Sequence, residues 1–252
     1  SQTSISKLPK MDLGNQPYEG NNLILELLDY DEFEISPTDK EKFTLKLYGS
    51  SEFIRGKLRY CLWIQDEDLP TAINLVPIRE RIDRTRKWRE QSARSGTRAL
   101  SSRPHQFCEM KKCEIQTFII PIRSSESREF LPVGVLDNRS IVSNLAYALY
   151  DAPLWCISII GSRIHLMWIA TVCGRMKTDY SYSNKMGWNT FPVPTLTEKN
   201  KADLTRSAEN ILLAREAHFP KTIADLYAPD KMPANLREAH EQNDETLERI
   251  YI

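Results

Sequence analysis

A polar, hydroxyl-rich run follows a buried segment: Gly174-Arg-Met-Lys-Thr-Asp-Tyr-Ser-Tyr-Ser-Asn-Lys185. It places Arg175, Lys177, Asp179, Ser181, Tyr182, Ser183, Asn184 and Lys185 in one short polar stretch. Cationic, carboxylate, hydroxyl and amide groups together offer the donors and acceptors that base edges and phosphate oxygens require. A solvated surface loop has the same composition, so the run alone leaves both readings open. Asp83 upstream of Glu109-x-Lys111 loosely imitates the carboxylate and lysine set of a metal-dependent nuclease, a pattern short enough to arise by chance in a charged chain. Cys108 and Cys113 with His105 resemble half of a tetrahedral metal site, but no second close pair completes it, so no metal is expected. His165 lies among apolar residues in Ser162-Arg-Ile-His-Leu-Met-Trp168 and is read as hydrogen-bonded structure. No glycine-rich nucleotide loop and no Gly-x-Ser-x-Gly elbow is present, and no catalytic residue is assigned.

These residues need elements to position them. Lys7 to Leu25, punctuated by Pro9, Gly14, Pro17 and Gly20, predicts loops and short strands. Phe43–Tyr48 and Leu58–Ile64 read as strands, with a short helix beginning in Gly49-Ser-Ser-Glu52 between them. Ile78 to Arg94 predicts a helix that stops at Gly96. Its arginines scatter around the axis, so an ion-paired solvated helix and a phosphate-contacting helix remain equal alternatives. Glu114–Pro121 and Glu129–Leu136 read as strands, and Leu154–Val172 as a buried helix or a strand running into one. Pro192 and Pro194 mark a boundary, beyond which helices start at Thr195 or Thr197 and recur around Leu236 to Ile250. The expected fold class is α+β: a mixed, β-rich unit over 1–194 and a small helical region over 195–252.

Charge is balanced overall, with 34 basic and 34 acidic residues, but unevenly spread. Residues 79–112 hold 11 Lys/Arg against 4 Asp/Glu, whereas residues 1–78 hold 8 against 13. Such a local cluster suits phosphate contact on one surface, with Arg84, Arg86 and Lys87 as its nominees and Arg163 as a further one. Five cysteines without paired short spacings point to a reducing, cytoplasmic setting. The longest apolar run, Ala152–Ile160, is too short for a membrane span, and Ser1-Gln2-Thr3 opens no signal peptide.

Several strings, in order, resemble the region that follows the catalytic domain in MmeI-like adenine-specific DNA methyltransferases. They begin with Lys7-Leu-Pro-Lys-Met11, Gly14-Asn15-x-Pro17, Gly20 and Leu23-Ile-Leu25. Gly49-Ser-Ser-Glu-Phe53, Gly56-Lys57, Arg59-Tyr-Cys-Leu-Trp63, Arg79-x-Arg81 through Arg89, Pro104-x-x-Phe107 and Phe130-Leu-Pro-Val-Gly134 continue the likeness. Ser162-x-x-His165-x-x-Trp168, Gly174-Arg175, Tyr182-Ser183, Trp188-Asn-Thr-Phe-Pro-Val-Pro194 and Asn243-Asp244 complete it. The resemblance implies a modular restriction-modification polypeptide, often with a nuclease domain, in which this region recognises the DNA target. Its partners would be double-stranded DNA and its own upstream methyltransferase domain, with S-adenosylmethionine bound in that domain and no cofactor here. The family's Asn-Pro-Pro-aromatic signature and cofactor glycine motif are absent, and Asn189-Thr-Phe-Pro192 does not replace the former. Arg175, Lys177 and Asp179 are the first nominees for reading bases. Trp188, Asn189 and Phe191 are expected to be structural, and Trp63, Trp155 and Trp168 to lie in the core. The competing readings are a protein-interaction module without DNA specificity and, more remotely, an independent nuclease.

Overall fold

In the computed structural model the strand Gln116–Pro121 (β5) runs through the middle of the molecule, and the structure describes residues 3–252. The reading of Ser1 and Gln2 lies outside the described residues. Phe118, Ile119 and Ile120 are fully buried, as befits a strand covered on both faces. The two-residue period of a strand divides them. Phe118 and Ile120 face a core shared with the Trp155–Ile160 helix, while Ile119 faces Leu136, Val142 and Ala148.

Before β5, in chain order, come β1 (Asp12–Leu13), β2 (Ile24–Glu26), β3 (Thr44–Tyr48) and β4 (Arg59–Leu62). After it come β6 (Arg123–Ser124), β7 (Gly134–Asp137), β8 (Ser140–Val142), β9 (Ala146–Tyr150), β10 (Arg175–Met176) and β11 (Asp179–Ser181). They form three sheets of order β1-β9-β5-β7, β2-β4-β3-β8 and β10-β11-β6. In the first, β5 pairs antiparallel with β9 in the register Phe118↔Leu149 and Ile119↔Ala148. In the second, β3 is antiparallel to β4 and parallel to β8, with Leu47 opposite Ile141. The chain therefore leaves one sheet at β8 and enters the other at β9 within four residues.

That crossing explains Gly14-Asn15. A Cβ on Gly14 would lie 2.2 Å from the Ser143 carbonyl oxygen, so only glycine admits the approach. The fully buried Asn15 then pins both sides. Its Nδ2 donates to the Lys111 carbonyl (2.9 Å) and the Val142 carbonyl (3.1 Å), and its Oδ1 accepts from the Lys111 amide (2.7 Å).

The second sheet is covered by the Val76–Glu90 helix, which buries Ile78, Ile82, Thr85 and Arg89 along one face. This helix stops four residues earlier than its sequence suggests, and Gly96 falls inside a separate Ser95–Ala99 helix rather than ending the first. The cause is Arg89, which is completely buried without a carboxylate. Its Nε donates to the Tyr18 carbonyl (2.8 Å), Nη1 to Leu100 and Arg103 (both 2.9 Å), and Nη2 to Pro17 (3.1 Å) and Gln106 (2.7 Å). All five N–H groups are satisfied by backbone oxygens, and the chain must fold back over the guanidinium to supply them. Burial and the nearby Arg103 charge lower its pKa to about 10, so it stays cationic at neutral pH.

Two further expectations are corrected. The strand foreseen over 129–136 is only Gly134–Asp137, because Phe130 turns away to stack on His240 at 4.2 Å. The 154–172 segment is two helices, Trp155–Ile160 and Arg163–Val172, broken at Gly161-Ser162. Ser162 caps the second by accepting from the His165 amide at 3.2 Å.

The chain closes with helices Glu198–Glu216 and Ala234–Tyr251, the former capped by Thr197, whose hydroxyl accepts from the Asn200 amide (3.1 Å). Leu204, Ala208 and Leu247 join the core of β5, so apolar packing continues across the Pro192–Pro194 boundary. A buried polar chain also crosses it. Arg215 Nε donates to the Tyr227 hydroxyl (2.7 Å), which bonds His240 Nε2 (2.8 Å), and His240 Nδ1 donates to the Gly161 carbonyl (3.2 Å). Trp63 is in the core, whereas Trp155 and Trp168 are only partly buried. No helix among the described residues is long and apolar enough to cross a membrane.

Candidate nucleic-acid interface

Strands β10 and β11 form a hairpin that pairs with β6, placing Arg175 opposite Tyr180, and Ser181 opposite Arg123. Lys177 and Thr178 make the turn, and Lys177 holds a left-handed φ of 56°, an unusual conformation for a residue with a Cβ. Arg175, Met176, Lys177 and Thr178 are exposed, with Asp179, Tyr180 and Ser181 half-buried. Arg175 Nη1 meets Glu126 Oε2 and the Thr178 carbonyl, each at 3.3 Å, and the guanidinium lies over the Tyr180 ring at 5.0 Å. Arg123 donates to the Met176 sulfur. Arg128 is half-buried; desolvation lowers its pKa and the Asp179 charge opposes that shift. The structure thus adds Arg123 and Glu126, which lie far upstream in sequence, to the hairpin. Only strand pairing reveals them, since no local motif marks either.

The base of the hairpin is fixed from inside. Tyr182, grouped from the sequence with the contacting residues, is 3% exposed, and its hydroxyl meets His165 Nε2 at 3.1 Å. His165 is fully buried, and burial pushes its pKa down to about 3, so the ring is a neutral hydrogen-bonding partner. It sits edge-on to Phe191 (4.5 Å) and Trp188 (5.9 Å). The Tyr182 amide donates to the Ile122 carbonyl (2.8 Å), Asn184 Nδ2 to Met11 (2.8 Å), and Trp188 Nε1 to Pro9 (2.8 Å). Ser183 accepts from the Met186 amide and starts the Asn184–Trp188 π-helical turn. Tyr182, Ser183 and Asn184 therefore support the hairpin from its inner end, while Lys185 remains exposed.

The other nominated cations divide. Arg163 pairs with Glu129 (3.3 Å), Glu241 (3.6 Å) and Asp244 (3.8 Å) and covers the Phe130 ring at 4.6 Å. It clamps the Ala234–Tyr251 helix onto the rest of the fold. Asp244, which accepts from the Arg163 amide (2.9 Å), has its pKa raised to about 6 because burial outweighs that bond and the Arg163 charge. Arg84, Arg86 and Lys87 are exposed on the Val76–Glu90 helix; Arg84 sits 3.9 Å from Glu80 and Arg86 3.4 Å from Asp83. Their neighbours in the basic cluster turn inward. Arg81 donates to the Asn22 carbonyl (2.9 Å), and Arg103 to the Phe107 carbonyl (2.9 Å) and Gln106 Oε1 (3.3 Å).

The residues of the nuclease pattern serve the backbone. Glu109 accepts from the Gln16 amide (3.0 Å), and Lys111 Nζ donates to the Leu13 carbonyl (3.1 Å). His105 Nε2 faces Asp66 at 2.8 Å, Cys113 is buried, and all five cysteines are free. No group of three or more His, Cys, Asp or Glu side chains among the described residues is placed to hold a metal ion.

Comparison with known proteins gives a consistent picture. The family model for the MmeI target recognition domain matches residues 1–195, and that for the MmeI C-terminal domain matches residues 196–252. DNA methyltransferase A of Bacillus subtilis (strain 168) is 37% identical over 247 residues, covering 98% of this chain and 28% of that protein. The structure of the type IIL restriction-modification enzyme MmeI in complex with DNA superposes with a TM-score of 0.93 at 31% identity, over 100% of this chain and 34% of that one. The type IIG restriction endonuclease BpuSI shares the fold, with a TM-score of 0.50 at 12% identity over 95% of this chain and 30% of its own. The chain thus spans about a third or less of the length of the relatives it matches.

Proposed function

Because the chain belongs to the MmeI family, carrying its target recognition and C-terminal domains, we propose that it is the sequence-reading region of an adenine-specific DNA methyltransferase. The observation that carries this reading is the β6-β10-β11 sheet, whose β10 strand and turn are exposed. It projects Arg123, Arg175, Lys177 and Asp179 from a base locked by buried Tyr182 and His165. Donors and an acceptor held on a rigid two-stranded ribbon suit the major groove, which admits such a ribbon and displays a distinct pattern for each base pair. Lys177 at the tip and Asp179 beside it offer a donor and an acceptor to neighbouring base edges.

Exposed Arg84, Arg86, Lys87 and Lys185 supply phosphate contacts, which set register and make affinity salt-dependent. Arg163 and the His240 chain tie the C-terminal helices to the 161–163 segment that opens the His165-bearing helix. Methyl transfer would belong to an upstream domain of a longer polypeptide. That domain would hold S-adenosylmethionine and take the adenine out of the stack, since its amino group is shielded in duplex DNA.

The test is equilibrium binding of the chain to duplex DNA across a salt series, followed by selection from a randomised duplex library. Affinity is expected to fall steeply with salt and selection to return a defined sequence. Binding insensitive to salt, with no sequence recovered, would remove DNA reading in favour of a protein-interaction role.

A further inference from the structure

We infer that Arg175 reads a guanine, and that Tyr180 and Glu126 are the positioning residues that aim it. The inference rests on the proposed DNA-reading role of the hairpin and goes further by naming the base. Arg175 and Tyr180 are directly opposed across β10 and β11, and the guanidinium lies over the ring at 5.0 Å. A planar cation stacked on an aromatic face retains its in-plane N–H groups for other partners. Its bonds are all made by one nitrogen: Nη1 meets Glu126 Oε2 and the Thr178 carbonyl, each at 3.3 Å. The Nε–H and Nη2–H groups, which form one side of the fork, make no hydrogen bond among the described residues.

Two parallel donors on an exposed arginine match the paired acceptors N7 and O6 on the major-groove edge of guanine. No other base offers two adjacent acceptors there: adenine pairs its N7 with a donor, thymine shows one acceptor beside a methyl group, and cytosine shows a donor. Glu126 has a second effect. It sits 3.3 Å from the guanidinium and partly neutralises it, which disfavours use of Arg175 as a phosphate anchor. Glu126 is exposed and Tyr180 half-buried, so the ion pair orients Arg175 more than it stabilises the fold.

The experiment compares the base preferences selected from a randomised duplex library by the wild-type chain, Arg175→Lys, Tyr180→Ala, Tyr180→Phe and Glu126→Ala. Arg175→Lys keeps the charge but loses the fork. It is expected to lower the preference for guanine at one position by about 5- to 150-fold, leaving the other positions and the salt dependence unchanged. Tyr180→Ala and Glu126→Ala should weaken the same position by less, and Tyr180→Phe, which retains the stacking face, should restore it. A merely structural role would flatten every position together. If the wild type selects a sequence but Arg175→Lys changes no guanine position, or the Tyr180→Ala and Glu126→Ala effects fall elsewhere, the inference is overturned while DNA reading stands. If the wild type selects no sequence at all, the DNA-reading proposal fails and takes this inference with it.

Discussion

Two regions of this molecule use the arginine side chain in opposite ways. Along the Val76–Glu90 helix and the loop after it, Arg81, Arg89 and Arg103 point into the protein and donate to carbonyl oxygens. On the hairpin, Arg175 points outward and stacks on a neighbouring ring, with half of its fork unoccupied. The first region has the higher charge density in the sequence, yet part of that charge holds irregular backbone together. The second has fewer cations, placed by strand pairing and by the turn it forms. A count of basic residues therefore overstates a binding surface wherever loops need their carbonyls satisfied, because guanidinium is the side chain with enough donors to satisfy several at once.

The largest expected effect comes from removing the inward arginine. Arg89→Ala leaves five carbonyls around a cavity and should cost about 4 kcal/mol or more of stability in denaturant unfolding. Arg89→Lys should recover little, since an ammonium lacks the fork. A loss below about 1 kcal/mol, the range of an exposed side chain, would refute the inward assignment.

The anchor beneath the hairpin should reveal itself through pH. Burial lowers the His165 pKa from 6.5 to about 3, so the folded state favours the neutral ring. Its contribution is fully present above about pH 6.5 and declines as pH falls towards 3, by about 1.4 kcal/mol per pH unit. Buried His240, also shifted down mainly by burial, acts in the same direction. Unfolding free energies measured from pH 7 to 4 should therefore fall less steeply for His165→Phe than for wild type. Parallel curves would mean that the ring is not held neutral.

Asp244 provides a smaller effect of opposite sign. Its folded pKa is raised from 3.8 to about 6, so its contribution is greatest below pH 4 and is lost as pH rises through 6. Asp244→Asn should be relatively more stable than wild type at pH 7 than at pH 4, and an unchanged difference would count against this assignment. Smallest in stability are the outward cations. Arg84→Ala and Arg86→Ala should change folding by less than about 0.5 kcal/mol, while each true phosphate contact removed should reduce the salt slope of DNA binding by about 0.9.

Much of this organisation is legible in the chain. The alternation in Phe43–Tyr48, the run ending at Pro121 and the spacing of Leu204, Ala208 and Ile211 each identify a real element. The polar run from Gly174 identifies the place of the hairpin without its form, because Met176-Lys-Thr-Asp179 lacks the glycine or asparagine that usually marks so tight a turn. Arg123 and Glu126 were invisible for another reason: their relation to Arg175 exists only through non-local pairing of β6 with β11. The early end of the 76–90 helix was hidden too. Nothing local distinguishes Arg89, which bends the chain around itself, from Arg86, which lies in solvent. Tyr182 carries the same polar hydroxyl as a surface residue, and only its contact with His165 places it inside.

The division between a base-reading hairpin and a phosphate-contacting helix meets its most direct test in one paired library selection, with Lys177→Ala and Asp179→Ala on the hairpin against Arg84→Ala and Arg86→Ala on the helix. The hairpin variants should change which sequence is recovered, and the helix variants should recover the wild-type sequence with lower affinity and a shallower salt dependence. Altered sequence preference from the helix pair, with an unchanged preference from the hairpin pair, would contradict the account.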